Sequence, residues 1–195
     1  MKIVAVSQRV DHVLNRRETR DSLDQRLTIF LIGAGYIPLP LPNSLKTNLT
    51  KWLDINKVSR VLLSGGNNIG EYPERDETEL MLIDYCASRG IPLVGICRGM
   101  QMMARWAGVG VHQVDGHKNS YHELFGDIKG KVSSYHNYAI NDCPPDFRVI
   151  ARSAEGEIEA IRHLTLAWEG WMWHPEREDY AGFTKGQERL REVFL

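Results

Sequence analysis

The order of apolar and polar positions predicts strands that alternate with helices over the first half of the chain. Short apolar runs are typical of buried strands, and apolar residues at helical spacing follow them. We expect strands at 2–6, 36–39, 60–63 and 92–96, and helices within 18–34, 76–88 and 98–107. Because strands separated by helices pair in parallel, this half predicts a parallel sheet covered by helices on both faces.

The second half of the chain has a different pattern, with short strands and little helix between them. We expect strands at 111–114, 131–134, 139–141, 147–151, 157–162 and 166–173, and a closing helix at 187–194. We find no internal repeat, low-complexity segment or linker. The pattern therefore predicts one α/β domain over residues 1–195 with a β-rich second half.

Composition and charge exclude several classes of protein. The chain has 195 residues, 43% of them hydrophobic and 25% charged, which is ordinary for a globular domain. Its net charge of −1 gives no indication of a nucleic-acid or membrane partner. The uncharged stretch 27–45 contains three prolines and two glycines, so it cannot form a spanning helix. The N-terminal apolar run is too short for a signal peptide, and we expect a cytoplasmic protein.

One cysteine lies in a sequence context that is typical of a nucleophile. Cys86, Cys97 and Cys143 are odd in number and widely spaced, which argues against a disulfide framework or a zinc ribbon. Cys97 ends an apolar strand within Gly-x-Cys-x-Gly, and a helix begins at once. Glycines on both sides permit a sharp turn, and the helix N-terminus stabilises a thiolate. The alternative interpretation is a buried core cysteine.

A cysteine nucleophile requires a base, an orienting group and an oxyanion hole. Among seven histidines, His174 follows an apolar strand, and Glu176 two residues later can turn back toward its imidazole. The backbone N–H of Arg98, directly after the cysteine, is one expected oxyanion donor. The Gly65-Gly66 pair, directly after another strand, is expected to supply the second.

Three motifs together indicate a family. These are Leu-Ser-Gly-Gly at 63–66, Gly-Ile-Cys-Arg-Gly-Met-Gln at 95–101 and Trp-His-Pro-Glu at 173–176. Because these motifs occur together and in this order, the chain resembles the class I glutamine amidotransferase-like family, in its branch of γ-glutamyl peptidases and hydrolases. The Gly-Gly loop followed by Arg-Asp-x-x-Glu at 75–79, the Ser-Ser-Tyr-His segment at 133–136 and the stretch at 154–160 are also similar to that branch. The resemblance implies a flavodoxin-like three-layer sandwich with a mostly parallel central sheet.

The resemblance also implies roles for individual residues. Cys97 would attack a γ-glutamyl carbonyl to form a thioester, and His174, held by Glu176, would move the protons. Gly66 and Arg98 would donate backbone N–H groups to the oxyanion. The glutamyl end would be bound by Gly65, Gln101, Tyr135, His136, Asn137 and Tyr138. No cofactor and no metal are expected.

Two features favour a free-standing hydrolase over an ammonia-supplying glutaminase. The chain has no room for a synthase domain, and Gly-x-Cys-Arg-Gly is similar to free-standing hydrolases, although Arg98 could simply be a solvated helix residue. Five arginines lie between Arg9 and Arg26, after the first strand, where open α/β sheets bind ligands. Arginine suits a pyrophosphate, but interleaved carboxylates make a solvated helix face equally acceptable.

The N-terminal Ser-Gln-Arg segment looks like that of small bacterial hydrolases encoded with sugar- or nucleotide-modifying enzymes. This resemblance implies a γ-glutamyl nucleotide amidate as substrate, cleaved to glutamate and cytidine diphosphoramidate for capsular polysaccharide modification. The alternatives are a hydrolase of γ-glutamyl amines or peptides, and a glutaminase subunit for a synthase. The expected partner is a small molecule, with no nucleic acid or membrane, and the oligomeric state stays open.

A further alternative, from another class, is a metal-binding regulatory protein. His112, His117 and His122 recur at five-residue intervals, with Asp115 and Glu123 nearby. This spacing does not bring three histidines to one helix face, and a zinc cluster favours tighter spacing. We therefore expect the loop at 111–121 to border the substrate pocket instead, with His117 and Asn119 as polar contacts.

Overall fold

The computed structural model describes residues 2–195. The strands within that range are β1 (Lys2–Ser7), β2 (Arg9–Val13), β3 (Glu18–Ser22), β4 (Tyr36–Leu41), β5 (Arg60–Leu63), β6 (Leu93–Ile96), β7 (Val111–Gln113), β8 (Lys118–Gly126), β9 (Gly130–Tyr135), β10 (Tyr138–Ile140), β11 (Phe147–Arg152), β12 (Ile158–His163) and β13 (Trp168–Trp171). The α-helices are α1 (Gln25–Gly33), α2 (Leu49–Ile55), α3 (Pro73–Arg89), α4 (Arg98–Trp106) and α5 (Tyr180–Val193). No helix among these residues is long and apolar enough to cross a membrane.

A nine-stranded sheet organises the molecule, in the order β4-β1-β5-β6-β13-β12-β11-β8-β9. The strands from β4 to β13 pair in parallel, and those from β13 to β9 pair antiparallel. The sheet is therefore mixed, and the predicted α/β class with a β-rich second half is confirmed. Two two-stranded antiparallel sheets lie outside it, the β2–β3 hairpin and the pair β7–β10.

Two apolar layers sandwich the parallel half of the sheet. Successive residues of a strand point to opposite faces, and β5 divides its side chains accordingly. Leu63 packs in a cluster with residues of α2, α3 and α4, whereas Leu62 packs in a cluster with residues of α1 and α5. Strands β5, β6 and β13 are buried throughout, as expected for strands with helices on both faces. The three-layer arrangement is confirmed.

One helix expected from the sequence is partly a strand. Residues 18–34 form β3 and then α1, because 18–22 pair with β2 in a hairpin. Asp24 separates the two elements, since its side chain accepts a hydrogen bond from the Arg26 backbone N–H at 3.0 Å and caps the helix. Four of the five N-terminal arginines consequently lie on a hairpin, and Arg26 lies in the first turn of α1.

The remaining differences concern elements whose sequence pattern is weak. Strand β8 buries only His122 and Leu124 among nine residues, so its alternation is largely polar and did not predict a strand. Helix α5 begins at Tyr180, earlier than expected, because the Asp179 side chain caps it by accepting from the Gly182 N–H. Helix α2 and the 3-10 turn before it were not predicted either.

Candidate active site

The carboxyl ends of four adjacent parallel strands meet at one edge of the sheet. After β1 comes Arg9, after β5 the Gly65-Gly66 loop, after β6 Cys97 and after β13 the segment with His174. Open α/β sheets bind ligands at this edge. The parallel topology therefore brings together groups that lie more than 160 residues apart in the chain.

Cys97 lies at a sharp turn between β6 and α4. Its backbone has φ 51° and ψ −105°, a strained conformation for a residue with a side chain. A Cβ at Gly95 would lie 2.6 Å from the backbone carbon of Gly99, and one at Gly99 would overlap the carbonyl oxygen of Leu63. Both glycines are thus required by close backbone packing. The strained strand-to-helix turn predicted from Gly-x-Cys-x-Gly is present.

His174 and Glu176 lie beside this cysteine. The Nδ1 atom of His174 is 2.7 Å from Oε1 of Glu176, and the imidazole also lies near the Cys97 side chain. Burial lowers the pKa of His174, but the Glu176 carboxylate and the Cys97 sulfur outweigh burial and raise it to about 9. The imidazole is therefore suited to hold a proton beside Cys97.

The other two cysteines lack such surroundings. Cys86 is fully buried in α3, and burial raises the pKa of its thiol. Burial also raises the pKa of Cys143, whose sulfur contacts the carbonyl oxygen of Phe147. Neither thiol favours the reactive thiolate form.

The glycine loop after β5 is held by a buried arginine from α3. Arg75 donates to the carbonyl oxygens of Ser64 (2.9 Å), Gly65 (3.0 Å) and Gly66. In a planar trans peptide the carbonyl and the next N–H point in opposite directions. Fixing the Gly65 carbonyl on Arg75 therefore directs the Gly66 N–H away from Arg75. The loop also needs its glycines, because a Cβ at Gly65 would lie 2.6 Å from Cε1 of His174 and Gly66 has φ +82°.

The Arg98 side chain belongs to the same buried network. It forms ion pairs with Asp76 and Glu79, and Arg75 pairs with Glu79 at 3.0 Å. Arg98 is only 1% exposed, which rules out the interpretation as a solvated helix residue. Burial raises the pKa of Glu79, but Arg98 and Arg75 outweigh it and hold the pKa below its ordinary value. The network connects the two loops expected to donate to an oxyanion.

A cavity of about 370 Å³ opens above Cys97. It is lined by Arg9, Gly66, Asn67, Asn68, Cys97, Arg98, Gln101, Lys118, Tyr135, His136, Asn137, Tyr138, His174 and Arg177. Gln101, from the second turn of α4, also donates to the Tyr138 carbonyl oxygen at 3.0 Å. The segment 135–138 and Gln101, both expected from the resemblance, thus meet in one cavity.

Two residues expected to contact the substrate do not line this cavity. His117 is buried away from the cavity and Asn119 is exposed outside it, so Lys118 is the residue of this segment that lines the cavity. The reason is that His117 turns inward to contact His136, at 3.4 Å between ring nitrogens. His112 lies outside as well and contacts Asn141 and Glu157.

Only one of the N-terminal arginines borders the site. Arg9 lines the cavity, and Asn67 ties the β2–β3 hairpin to the glycine loop through the Val10 backbone at 2.8 and 3.1 Å. Arg16 and Arg17 lie at the exposed turn of the hairpin, while Arg20 and Arg26 pair with nearby carboxylates. The first residue of the hairpin, Arg9, therefore borders the site, whereas the tip of the hairpin is exposed to solvent.

Two cationic residues of the cavity, Lys118 and Arg177, and the role of Arg75 were not predicted from the sequence. Arg177 directly follows Glu176, and its guanidinium lies 5.1 Å from the centroid of the Tyr135 ring. A larger cavity of about 690 Å³ shares Arg177 and Tyr135 with the first but contains neither Cys97 nor His174. The Arg-Asp-x-x-Glu motif was a signal for the buried network, whereas nothing in the pattern marked Lys118.

The model of the family described as "Glutamine amidotransferase class-I" matches residues 32–187. The chain belongs to this class I glutamine amidotransferase family. Among relatives, γ-glutamyl-CDP-amidate hydrolase of Campylobacter jejuni is 33% identical over 151 residues, which cover 74% of each chain. A subunit of the glutamine-hydrolysing GMP synthase of Methanothrix thermoacetophila is 34% identical over 144 residues, covering 69% of this chain and 77% of that one.

Solved structures of family members share the fold. A Thermoplasma acidophilum protein assigned as a GMP synthase subunit superposes with a TM-score of 0.71 at 22% identity, covering 99% of this chain and 97% of the other. A glutamine amidotransferase of Thermotoga maritima gives 0.65 at 19% identity, covering 98% and 84%. The expected membership of the class I glutamine amidotransferase family is confirmed, and the relatives support a hydrolase.

Proposed function

We propose that the protein hydrolyses a γ-glutamyl amide bond through a thioester on Cys97. The Cys97 sulfur attacks the γ-carbonyl carbon, and the resulting oxyanion is stabilised by the backbone N–H groups of Gly66 and Arg98. The C–N bond then breaks as His174 gives its proton to the leaving nitrogen. Water, deprotonated by His174, cleaves the thioester and releases glutamate. Glu176 orients the imidazole throughout.

The charge around the cavity supports an anionic leaving group, and this observation carries the choice of substrate. Arg9, Lys118 and Arg177 line the cavity, and no Asp or Glu is among the described residues that do so. A glutamyl group has one α-carboxylate to neutralise and brings its own α-amino cation. Arg9 pairs with Asp11 at 2.9 Å and Arg177 with Glu176 at 3.5 Å, whereas Lys118 forms no ion pair with the described residues. This lining favours an anionic leaving group over a cationic polyamine.

A nucleoside diphosphoramidate suits this cationic lining. Arginine and lysine bind phosphate oxygens by charge-assisted hydrogen bonds. The larger cavity beyond Tyr135 and Arg177 offers room for a nucleoside. The Campylobacter relative is named for such a substrate, γ-glutamyl-CDP-amidate. We accordingly propose that the protein acts in the cytoplasm and releases cytidine diphosphoramidate, which is used to modify a capsular polysaccharide.

A second candidate is a glutaminase subunit that supplies ammonia to a synthase. It is favoured by the similarity to subunits of GMP synthases, which are named as glutamine-hydrolysing. The two candidates share the chemistry of Cys97 and differ in what leaves with the γ-nitrogen.

A glutamate-release assay separates these candidates. The purified protein is given glutamine, a γ-glutamyl amine, a γ-glutamyl peptide and γ-glutamyl-CDP-amidate at equal concentration. We expect the nucleotide amidate to give the largest kcat/KM. A preference for glutamine would favour the glutaminase, and a preference for the cationic amine would contradict the charge argument.

A further inference from the structure

Three histidines and one glutamate converge in the interior of the protein, beside the cavity that contains Cys97. His122 lies in β8, and His117 directly precedes that strand. His136 lies between β9 and β10, and Glu159 lies in β12. All four are buried, with exposures between 1% and 7%. One ligand atom from each lies within 4.8 Å of all the others. The buried glutamate on its own would be a costly group in this environment.

Four of the six distances between these atoms are close to those of a tetrahedral metal site, and the widest of the six is up to 4.8 Å. His122 Nδ1, His136 Nε2 and His117 Nδ1 lie 3.0, 3.4 and 3.7 Å from Glu159 Oε1, and His117 Nδ1 lies 3.4 Å from His136 Nε2. Metal–ligand bonds of about 2.0–2.2 Å in tetrahedral geometry separate the ligand atoms by about 3.3 Å. The four groups thus converge on one point, and a bound Zn²⁺ would draw the widest pair closer together.

The contacts of His136 are those of a histidine that could bind a metal through Nε2. Its Nδ1 atom lies 3.1 Å from the Tyr138 carbonyl oxygen, which only accepts, so Nδ1 carries a hydrogen. Its Nε2 atom faces the Glu159 carboxylate oxygen at 3.4 Å. A backbone carbonyl on the second nitrogen is also the usual partner of a metal-bound histidine.

We propose that His117, His122, His136 and Glu159 bind one divalent metal ion, Zn²⁺ by the chemistry of its ligands. Three imidazoles and one carboxylate form a ligand set that Zn²⁺ accepts, and four protein ligands leave no open position for catalysis. The site is therefore structural. It joins β8 and β12 to the segment 135–138, whose Tyr138 carbonyl also accepts from Gln101 in the candidate active site.

Direct metal binding tests the proposal. Protein made without an affinity tag is stripped with a chelator, and the apoprotein is titrated with Zn²⁺ and, separately, with Co²⁺. We expect one equivalent of either ion, a rise in Tm, and for Co²⁺ the intense visible absorption of tetrahedral coordination without a thiolate charge-transfer band. Apoprotein that binds neither ion would overturn the proposal, whatever the variants show.

Matched variants locate the ion. His117→Ala and His122→Ala should lose the bound metal, whereas His112→Ala, which removes the exposed histidine of the same sequence segment, should keep it. Cys97→Ala should also keep it, because the site does not use the thiol. Metal lost in Cys97→Ala but retained in His122→Ala would place the ion at the catalytic cysteine and refute the assignment. Hydrogen exchange should show residues 117–138 opening faster in the stripped protein.

Discussion

The parallel and antiparallel halves of the sheet contribute different groups to the candidate site. Cys97, His174 and the Gly65-Gly66 loop follow three parallel strands that are buried along their whole length. The antiparallel half supplies Lys118 from β8, which is largely exposed, and the segment 135–138 from the end of β9, which is partly buried. Under the proposed function, buried strands fix the groups whose positions must be accurate, and the less buried strands supply the side chains proposed to contact the substrate. The comparison indicates that reaction and substrate preference can change independently.

The largest effects are expected from the parallel half. Cys97→Ala or His174→Ala should each lower kcat by about 10⁴-fold or more, because nucleophile and base act as one unit. The double variant should be no worse than either single one. Glutamate release measures this, with Cys143→Ala as the matched control that keeps activity. An active Cys97→Ala protein would refute the mechanism.

Arg75→Lys should have the next largest effect. Lysine keeps a positive charge near Glu79 but cannot hold three successive carbonyls, so the Gly66 N–H loses its fixed direction. We expect kcat to fall about 10²- to 10³-fold, the effect of removing one oxyanion donor, with KM little changed. Steady-state kinetics alongside a Tm measurement separate this role from loss of folding. A rise in KM at constant kcat would assign Arg75 to substrate binding instead.

Smaller and more selective effects are expected at the border with the antiparallel half. Arg9→Ala and Lys118→Ala should each lower kcat/KM for the nucleotide amidate by about 10- to 100-fold, the scale of a charge-assisted hydrogen bond. Hydrolysis of plain glutamine should barely change. Arg16→Ala, at the exposed tip of the same hairpin, is the control. Equal losses of kcat/KM for the nucleotide amidate and for glutamine would contradict a separate role of the antiparallel half in substrate preference.

The smallest expected effect is a shift in pH dependence. His174 must hold a proton for the leaving nitrogen, so kcat should fall as the pH rises through about 9. Because this pKa lies above the ordinary 6.5, the imidazolium stabilises the fold below about pH 6.5 and that stabilisation is lost as the pH rises through about 9. Glu176→Gln removes the main charge that raises the pKa. Its alkaline limb should therefore move to lower pH, and an unmoved limb would assign the raised pKa to another group.

The sequence predicted the parallel half far better than the antiparallel one, for a physical reason. A strand buried on both faces is a continuous apolar run, and a glycine-flanked nucleophile turn is a local pattern. For this reason β5, β6 and the turn at Cys97 could be predicted from the sequence. Strand β8 has few buried residues, and the β2–β3 hairpin carries alternating charges that resemble a helix face. Contacts such as Arg75 with the glycine loop, or His117 with His136, depend on tertiary packing that no local pattern records.

The most direct test of the central claim is intact-protein mass spectrometry of enzyme quenched during turnover of γ-glutamyl-CDP-amidate. The account predicts a mass increase equal to one glutamyl acyl group, mapped to Cys97 and released by hydroxylamine. The adduct should be absent from Cys97→Ala and present in Cys143→Ala. A glutamyl adduct on another residue, or rapid turnover with no adduct at any quench time and none in a variant with slowed hydrolysis, would contradict it.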